Sequence, residues 1–502
     1  MLPSHPILTC AAAKAHEAAL LRDEAAEWVA MQRAGAEVAR AVGADFREIG
    51  GLPDSPRLLV LAGKGHNGGD ALLAARALLD ERLGATAEVV LAFGPDSLRP
   101  LTRRAWDELT ARHVERVREV EAAALKREFA SYDVVLDGVF GFQLRPPLDA
   151  ATAELLAWVN THPRIRLRAA VDLPSGLGEP ANAATVFRAD FTYCTGIVKA
   201  PVVAPANAPL VGRLRYLDLG FFAADRREIA SRVLLPDLLR PLAQLRPAQS
   251  DKRTYGHLVI VGGSHSFPGA VLIAVQAALR SGVGLLTACV PESLVPEYAA
   301  RFPEAMWVGC RVGASGGLTS DSVRLIEEKT ARATALVVGP GLGAAPETLA
   351  AAEAIVSKAR VPVLLDADAI RPEIVRAASD AHLVATPHAG EWQRIAASWP
   401  EAGVLVAKGS PTRVVSGGAT YFSFHGGPVL ARGGSGDLLA GLIGGLAAQA
   451  PADLQLAAAR GVVWHGRAAD LLARARGQVA VQTTQLLDFL QPALSCTDHE
   501  DP

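Results

Sequence analysis

The stretch Gly433-Gly434-Ser435-Gly436-Asp437, running directly into Leu438-Leu439-Ala440-Gly441-Leu442-Ile443, decides how the second half of the chain reads. A glycine-rich turn opens an apolar helix, with a carboxylate at its start. The N–H groups of such a turn converge on one point, and the helix dipole adds positive potential there, so the turn suits an anion. A carboxylate beside an anion site is repelled by the ligand, so its placement there suggests a role in the reaction. Asp437 therefore reads as the base or orienting group for a hydroxyl that meets a phosphate. The bland alternative is a helix start whose glycines only permit close packing.

The chain has 502 residues, enough for two or three domains with ample cores. Its net charge of −2 supplies no bulk attraction to nucleic acid or to a membrane surface. Cys10, Cys194, Cys289, Cys310 and Cys496 lie far apart, form no CxxC pair and are odd in number. That pattern points to a reducing compartment, the cytoplasm, and away from a disulfide framework or zinc site. Met1-Leu2-Pro3-Ser4-His5-Pro6 lacks a basic n-region and a long apolar run, so no signal peptide is expected. The apolar segment 270–290 contains Gln276, Arg280 and Ser281, which favours a core helix running into a strand over a membrane span. Ala-rich helix faces permit a homo-oligomer without specifying one.

Outward from the glycine turn, the chain alternates short apolar runs with helical stretches. Residues 11–42 read as helix. Strands are expected at 58–62, 88–92, 133–137 and 168–172, and helices at 71–83, 101–130 and 150–160. This is the rhythm of an open α/β sheet, whose ligand sits at the carboxyl ends of the strands. Between about Phe221 and Arg253 the rhythm breaks, at Ala224-Asp225-Arg226-Arg227-Glu228 and at two Arg-Pro pairs. A second series follows, with strands expected at 257–261, 285–290, 335–338, 361–365, 383–385, 403–407 and 413–415. The two series share no motif, so two different domains are expected.

In the first series three strands end in polar loops. Gly63-Lys64-Gly65-His66-Asn67-Gly68-Gly69-Asp70 contains GxGxxG, a weak dinucleotide signal by itself. Glu88 has the spacing of a ribose-binding acid but opens its strand instead of ending it. Asp137-Gly138-Val139-Phe140 leads into Gly141-Phe142-Gln143-Leu144-Arg145-Pro146-Pro147, where Arg145 can meet a phosphate. Val171-Asp172-Leu173-Pro174-Ser175-Gly176 again sets an acid at a strand end. Each alone is also explained as a turn with a capping Asp.

Together, and with Met31-Gln32-Arg33-Ala34-Gly35 and Lys199, these motifs resemble the epimerase domain of the NAD(P)H-hydrate repair enzymes over about residues 10–222. The resemblance implies a Rossmann-like three-layer α/β/α domain, residues 1–222. It would interconvert the two epimers of NADH or NADPH hydrated on the nicotinamide ring. The implied substrate contacts are His66, Asn67, Gly68, Gly69, Asp70, the loop from Gly141 to Pro147, and Asp172, which is also the implied catalytic residue. A potassium ion is implied as well, held by the oxygen donors of Asn67, Asp137 and Ser175. The chain departs from the family pattern at His66, usually Asn, and at Ala71, usually Gly.

After the linker 223–252, the second half resembles the dehydratase partner of the same system. The resemblance rests on Lys252-Arg253-Thr254-Tyr255-Gly256, Gly262-Gly263-Ser264, Pro268-Gly269-Ala270, Pro303-Glu304-Ala305-Met306, Gly339-Pro340-Gly341-Leu342-Gly343, Leu365-Asp366-Ala367-Asp368-Ala369, Thr386-Pro387-His388-Ala389-Gly390-Glu391, Lys408-Gly409-Ser410 and the Gly433–Asp437 turn. It implies a ribokinase-like α/β domain over 253–502 that phosphorylates the hydroxyl of the S-hydrate with ADP and magnesium. Phosphate then leaves, a far better leaving group than hydroxide, and AMP remains. Asp437 is the implied base, and the N–H groups of Gly434, Ser435 and Gly436 would face the transferred phosphoryl. Lys408, Gly409, Ser410, Pro411, Thr412 and the Gly434–Gly436 turn match nucleotide contacts; Ala270, Gly343 and His388 match hydrate contacts. Asp366 and Asp368 read equally as a magnesium pair or as strand-end caps, His388 also as a capping histidine, and His465 as structural. Arg432, where the family usually has Thr, adds a candidate phosphate contact. The tail 495–502 is acidic. Rival readings are a ribokinase-like small-molecule kinase, marked by a stable phosphorylated product, and a dehydratase fused to a binding domain that has lost catalysis.

Overall fold

The computed structural model describes residues 2–125, 130–142, 144, 146–179, 181–223, 227, 229–378 and 382–495. Gln143, Arg145, Ala224, Asp225, Arg226, Glu228, Cys496 and the acidic tail therefore lie outside the described residues. The chain forms two compact units. The N-terminal unit comprises His5–Ile229 together with Ala473–Gln478. The C-terminal unit comprises the remainder, from Ala230 to Leu472 and from Val479 on, with the first few residues.

In the N-terminal unit a short strand β1 (Ser4–Leu8) precedes β2 (Arg57–Ala62), β3 (Thr86–Leu91), β4 (Val117–Glu119), β5 (Tyr132–Gly138), β6 (Ile165–Val171), β7 (Phe191–Thr195), β8 (Val198–Lys199) and β9 (Arg213–Leu217). The sheet runs β4-β3-β2-β5-β6-β7-β9, parallel throughout. β2 is buried on both faces. Leu58, Val60 and Ala62 pack with the helices Glu24–Phe46, His66–Glu81 and Pro100–Arg112, while Leu59 and Leu61 pack with Ala150–Thr161. This is the doubly wound, Rossmann-like arrangement. Strand order reverses between β2 and β5, which opens a crevice at their carboxyl ends.

The C-terminal unit holds β10 (Ser231–Leu234), β11 (His257–Val261), β12 (Leu285–Pro291), β13 (Met306–Cys310), β14 (Ala335–Val338), β15 (Val363–Leu365), β16 (Leu383–Ala385), β17 (Val404–Ala407), β18 (Thr412–Ser416) and β19 (Ala419–Ser423). Their order is β13-β12-β11-β14-β15-β16-β17-β18-β19-β10. The strands from β13 to β17 are parallel; β17, β18 and β19 pair antiparallel. The apolar run after Asp437 becomes the helix Ser435–Gln449. At Gly441 a Cβ would lie 2.1 Å from the Ala274 carbonyl oxygen, so here the glycine serves close helix packing. The result is the α/β class implied by the ribokinase-like resemblance. Among the described residues, no helix is long and apolar enough to cross a membrane.

Several element readings need correction. The expected helix at 71–83 is His66–Glu81, so the glycine loop is already helical. Gly68 and Gly69 are poor helix formers, but a Cβ at Gly68 would meet the Gly63 oxygen at 2.1 Å and one at Gly69 would meet Met31 at 2.2 Å; tight packing overrides propensity. The helix expected over 11–42 breaks into Cys10–Leu20 and Glu24–Phe46, because Asp23 caps the second by accepting from the Ala26 N–H. The polar stretch 101–130 contains β4, whose residues are only partly covered at the sheet edge. The segment 270–290, by contrast, is as expected a core helix, Pro268–Arg280, followed by the strand β12.

Candidate functional site

Each unit carries one cluster of reactive side chains at the carboxyl ends of its strands. In the N-terminal unit, Asp172 directly follows β6 in a left-handed conformation, φ 68°, which a non-glycine residue adopts at a cost of roughly 1–3 kcal/mol. Its Oδ1 accepts from Lys199 Nζ at 2.6 Å and from Thr195 Oγ1 at 3.4 Å. Lys199 is 1% exposed and is set by the pairing of Leu8 with Lys199 between β1 and β8. Burial alone would lower its pKa, but the charges of Asp172 and Glu17 carry it above its ordinary value. Glu17 Oε1 lies 3.7 Å from Lys199 Nζ, and the Phe142 ring centroid 5.0 Å away.

Asp70, in the helix His66–Glu81, faces the same charges. Its Oδ1 is buried and unbonded. Burial first, then the charges of Asp172 and Glu17, push its pKa well above the ordinary carboxylate range. The pocket thus sets a buried carboxyl with an unbonded oxygen and a raised pKa beside an ion-paired one, an arrangement suited to acid and base roles.

Asp137, Ser175 and Asn67 form a second group beside it. Asp137 is fully buried. Its Oδ1 accepts from Ser175 Oγ at 2.6 Å and its Oδ2 from the Ser175 N–H at 2.7 Å. Burial pushes Asp137 up to about 6 against these hydrogen bonds. Asn67 Nδ2 donates to the Phe140 carbonyl at 2.9 Å, and the Phe140 N–H donates to Ser175 Oγ at 2.8 Å. The set is oxygen-rich, with no cationic side chain among the described residues bonded to the buried carboxylate, and fits a hard monovalent cation.

The two departures from the family pattern have local explanations. His66 Nε2 lies 3.4 Å from Glu27 Oε2, on an approximately half-exposed ring. The Ala71 methyl is fully buried where a Cβ on Gly138 would approach it to 2.6 Å, so its space exists because residue 138 is glycine. Gly141 sits beside the Asn67 side chain, and Leu144 beside Gly178. Pro146 and Pro147 line the exposed side of the same loop. Glu88 is no ribose acid: it bonds Arg118 at 2.6 Å. Sequence reasoning missed Glu17 and the roles of Lys199 and Thr195. A lone lysine in the apolar run Tyr193–Val203 was the available signal; Glu17 in an Ala-rich helix gave none.

In the C-terminal unit the site surrounds the start of the helix Ser435–Gln449. Gly434, its N-cap, has φ 86°, and a Cβ there would meet Ile273 at 2.6 Å, so glycine is required. Gly433 and Gly436 have open space instead; a Cβ on Gly436 would meet only Lys408 Nζ, at 3.3 Å. The N–H groups of Gly434 and Gly436 make no backbone hydrogen bond among the described residues, whereas that of Ser435 donates to the Arg432 carbonyl at 3.3 Å. Close packing accounts for Gly434 and Gly441, while Gly433 and Gly436 have no such packing reason.

Asp437 is the third helical residue. Burial first, then the charge of Asp366, push its carboxyl up to about 6, against the pull of Lys408. Lys408 Nζ lies 3.3 Å from Asp366 Oδ1 and 3.9 Å from Glu391 Oε2. Asp366 also accepts from Thr386 Oγ1 at 2.6 Å, and Asp368 accepts from the Gly343 N–H at 3.1 Å. Asp366 and Asp368 therefore have separate partners. His388 caps the helix Ala389–Ile395: its Nδ1 accepts the N–H of Gly390 at 3.0 Å and of Glu391 at 3.3 Å, leaving the ring largely exposed. Gly409 is open, and Thr412 Oγ1 donates to its carbonyl at 3.0 Å, closing the loop that holds Ser410 and Pro411. Ala270 starts the helix Pro268–Arg280 and packs against Gly341, close to Gly343. Arg432 is spent on the Val479 carbonyl at 2.7 Å. His465 is buried and held down to about 4 by burial and by Lys408, as befits a neutral core histidine.

An open helix start flanked by a lysine and a carboxylate of raised pKa suits phosphoryl transfer, and a doubly wound sheet with acids at its strand ends suits a dinucleotide. Fold and sites together define a two-site α/β enzyme acting on nucleotides. The family model described as NAD(P)H-hydrate dehydratase matches residues 258–492, and that described as YjeF-related protein N-terminus matches residues 28–200. The bifunctional NAD(P)H-hydrate repair enzyme Nnr of Moorella thermoacetica is 32% identical, covering 94% of this chain and 93% of its own. That of Gloeobacter violaceus is 35% identical and covers 93% of each. The crystal structure of ADP/ATP-dependent NAD(P)H-hydrate dehydratase from Bacillus subtilis, co-crystallised with ATP and Mg2+, is 26% identical; the match covers 51% of this chain and 95% of that chain, with a TM-score of 0.43. The chain belongs to the family of bifunctional NAD(P)H-hydrate repair enzymes.

Proposed function

We propose that the chain repairs hydrated NADH and NADPH in two steps, an epimerisation in 1–222 and an ADP-dependent dehydration in 253–502, with 223–252 joining them and its strand Ser231–Leu234 paired in the C-terminal sheet. The observation that carries the second step is Asp437 beside Lys408 at an open helix start. Asp437 takes the proton of the ring hydroxyl, and that oxygen attacks the terminal phosphorus of ADP as the bond to AMP breaks. Lys408 and the N–H groups of Gly434 and Gly436 balance charge on the phosphoryl in flight. Phosphate then leaves the ring carbon, pushed by the ring nitrogen, and the neighbouring carbon gives up a proton to restore the double bond.

Hydration of an enamine sets the hydroxyl on the carbon beside the ring nitrogen, so the nitrogen lone pair can expel it once it is protonated. Asp70 holds that proton. Water leaves, and water returned to the opposite face of the ring gives the other epimer, with the ion-paired Asp172 taking the proton released. Potassium, held by Asn67, Asp137 and Ser175, would supply fixed positive charge beside the reacting ring. Magnesium would accompany the nucleotide phosphates near Asp366 and Asp368. Action in the cytoplasm fits the buried free thiols Cys10, Cys194, Cys289 and Cys310. A homo-oligomer remains compatible with this reading, and neither nucleic acid nor membrane is a partner in it.

The test follows reduced-nicotinamide absorbance when the protein meets a mixed hydrate of NADPH with ADP, magnesium and potassium. Complete recovery is expected, and Asp437→Ala abolishes it. Recovery that stops at the S fraction refutes the epimerase half. A stable phosphorylated product moves the second half to the kinase reading.

A further inference from the structure

A second cavity lies in the N-terminal unit, away from Asp172 and Lys199. It has a volume of about 270 Å3 and is lined by Ala92 and Gly94 after β3, Val120 and Ala122 after β4, and Thr152 and Leu155 of the helix Ala150–Thr161. Glu119 and Glu121 line it as well and are exposed. The volume is near the lower end for small-ligand pockets, which start at roughly 300 Å3, and so suits part of a ligand.

Its place in the sheet says which part. Strand order reverses between β2 and β5, and a two-part ligand at such a switch point straddles the crevice. Asp172 and Lys199 stand on the β6 side, where the reacting ring must lie. The cavity stands on the β3–β4 side. Between them, Lys64 Nζ sits 5.6 Å from the Phe93 ring centroid, and Phe93 lies edge-on to Phe140 with centroids 5.6 Å apart. The middle of the crevice thus offers a cation and the start of the helix His66–Glu81 to a pyrophosphate. The cavity offers apolar walls to a base, and carboxylates as acceptors for ribose hydroxyls and an exocyclic amine.

We infer that this cavity is the adenosine subsite of the N-terminal unit, so that this unit recognises the whole dinucleotide and not only its damaged ring. The inference rests on the epimerase reading for its substrate, but the cavity and its register with the crevice are independent of the chemistry. Binding energy gathered at the adenosine end is available to position the reacting end.

The experiment compares kcat/KM for epimerisation of hydrated NADH and of hydrated reduced nicotinamide mononucleotide, which lacks adenosine, with the full chain. The dinucleotide is expected to be favoured by roughly tenfold or more. In Ala122→Trp, which fills the cavity, that ratio falls toward one. The ratio is insensitive to a general loss of folded protein. Equal use of the two substrates by the unaltered chain overturns the inference, as does a ratio unchanged in Ala122→Trp. Photolabelling with 8-azido-ADP-ribose supplies a readout without catalysis: the inference requires adducts in peptides spanning 90–95, 119–122 or 151–155. Adducts there without epimerisation of either substrate leave the subsite standing and refute the epimerase reading. N-terminal adducts confined to other peptides refute the subsite.

Discussion

Replacing Asp437 with Asn should stabilise the C-terminal unit while destroying its dehydratase activity. The carboxyl has a pKa of about 6 in the folded chain against 3.8 when unperturbed, a rise of roughly 2 units. Between those values the unfolded chain has lost a proton that the folded chain keeps, so stability falls as pH rises from 3.8 to about 6, and above that the full cost stands. At about 1.36 kcal/mol per unit, the carboxylate costs roughly 1.5 kcal/mol near pH 5 and roughly 3 kcal/mol near pH 7.5. Asparagine keeps the shape and never pays the charge. The advantage of Asp437→Asn over the parent should therefore double between those two pH values. Hydrogen exchange of peptides from the helix Ser435–Gln449, followed against urea, reads the local stability without assuming that both units unfold together. An advantage that is constant with pH, or one that shrinks as pH rises, refutes the reasoning. In the parent, dehydration should fade below about pH 6, where the base becomes protonated.

Asp70→Asn keeps the shape of the side chain but cannot give up a proton. Epimerisation should fall by roughly 10²–10⁴-fold with dehydration of pure S-hydrate intact; an unaffected epimerisation rate removes Asp70 from the mechanism. Lys199→Met strands Asp172 in a buried site and should cost the N-terminal unit roughly 3–5 kcal/mol, read as lost exchange protection in β6. Gly434→Ala forces φ 86° on a residue with a side chain and drives a methyl against Ile273. It should destabilise the C-terminal unit by roughly 1–3 kcal/mol and raise the KM for ADP; an unchanged urea profile and KM would count against the role of that turn. His66→Asn should change epimerisation by less than about threefold, since the ring is turned toward Glu27; a larger loss would place His66 on the substrate.

Residue chemistry at the two sites was partly legible in the sequence, because strand ends and helix starts announce themselves. Buried strands such as Leu58–Ala62 are continuous apolar runs, and the acid or glycine that follows each is visible at once. Short or mixed strands were not visible. Val117–Glu119 is an exposed edge, and Phe191–Thr195, though built of strand-favouring residues, is short and mixes polar with apolar side chains, yet both add to the sheet. The start of the helix at His66 was hidden because glycine reads as a breaker until its neighbours are known. Long-range partnerships were the least legible. Nothing local ties Glu17 to Lys199, or raises the pKa of Asp70; those follow from three segments converging in one buried pocket.

The make-up of the N-terminal unit has a consequence for synthesis. Asp45 is almost wholly buried and is bonded by Arg215 and by Arg474, and Glu48 by Arg213 and by Gln478. Arg474 and Gln478 belong to this unit although 243 residues, Ala230 to Leu472, intervene. At about 5–20 residues per second, the ribosome needs roughly 10–50 s to deliver them after the rest of the unit has been made. For that interval the nascent unit holds Asp45 with Arg215 as its arginine partner, open to chaperones and proteases. A stop codon or truncation before Ala473 would leave it in that unfinished state permanently.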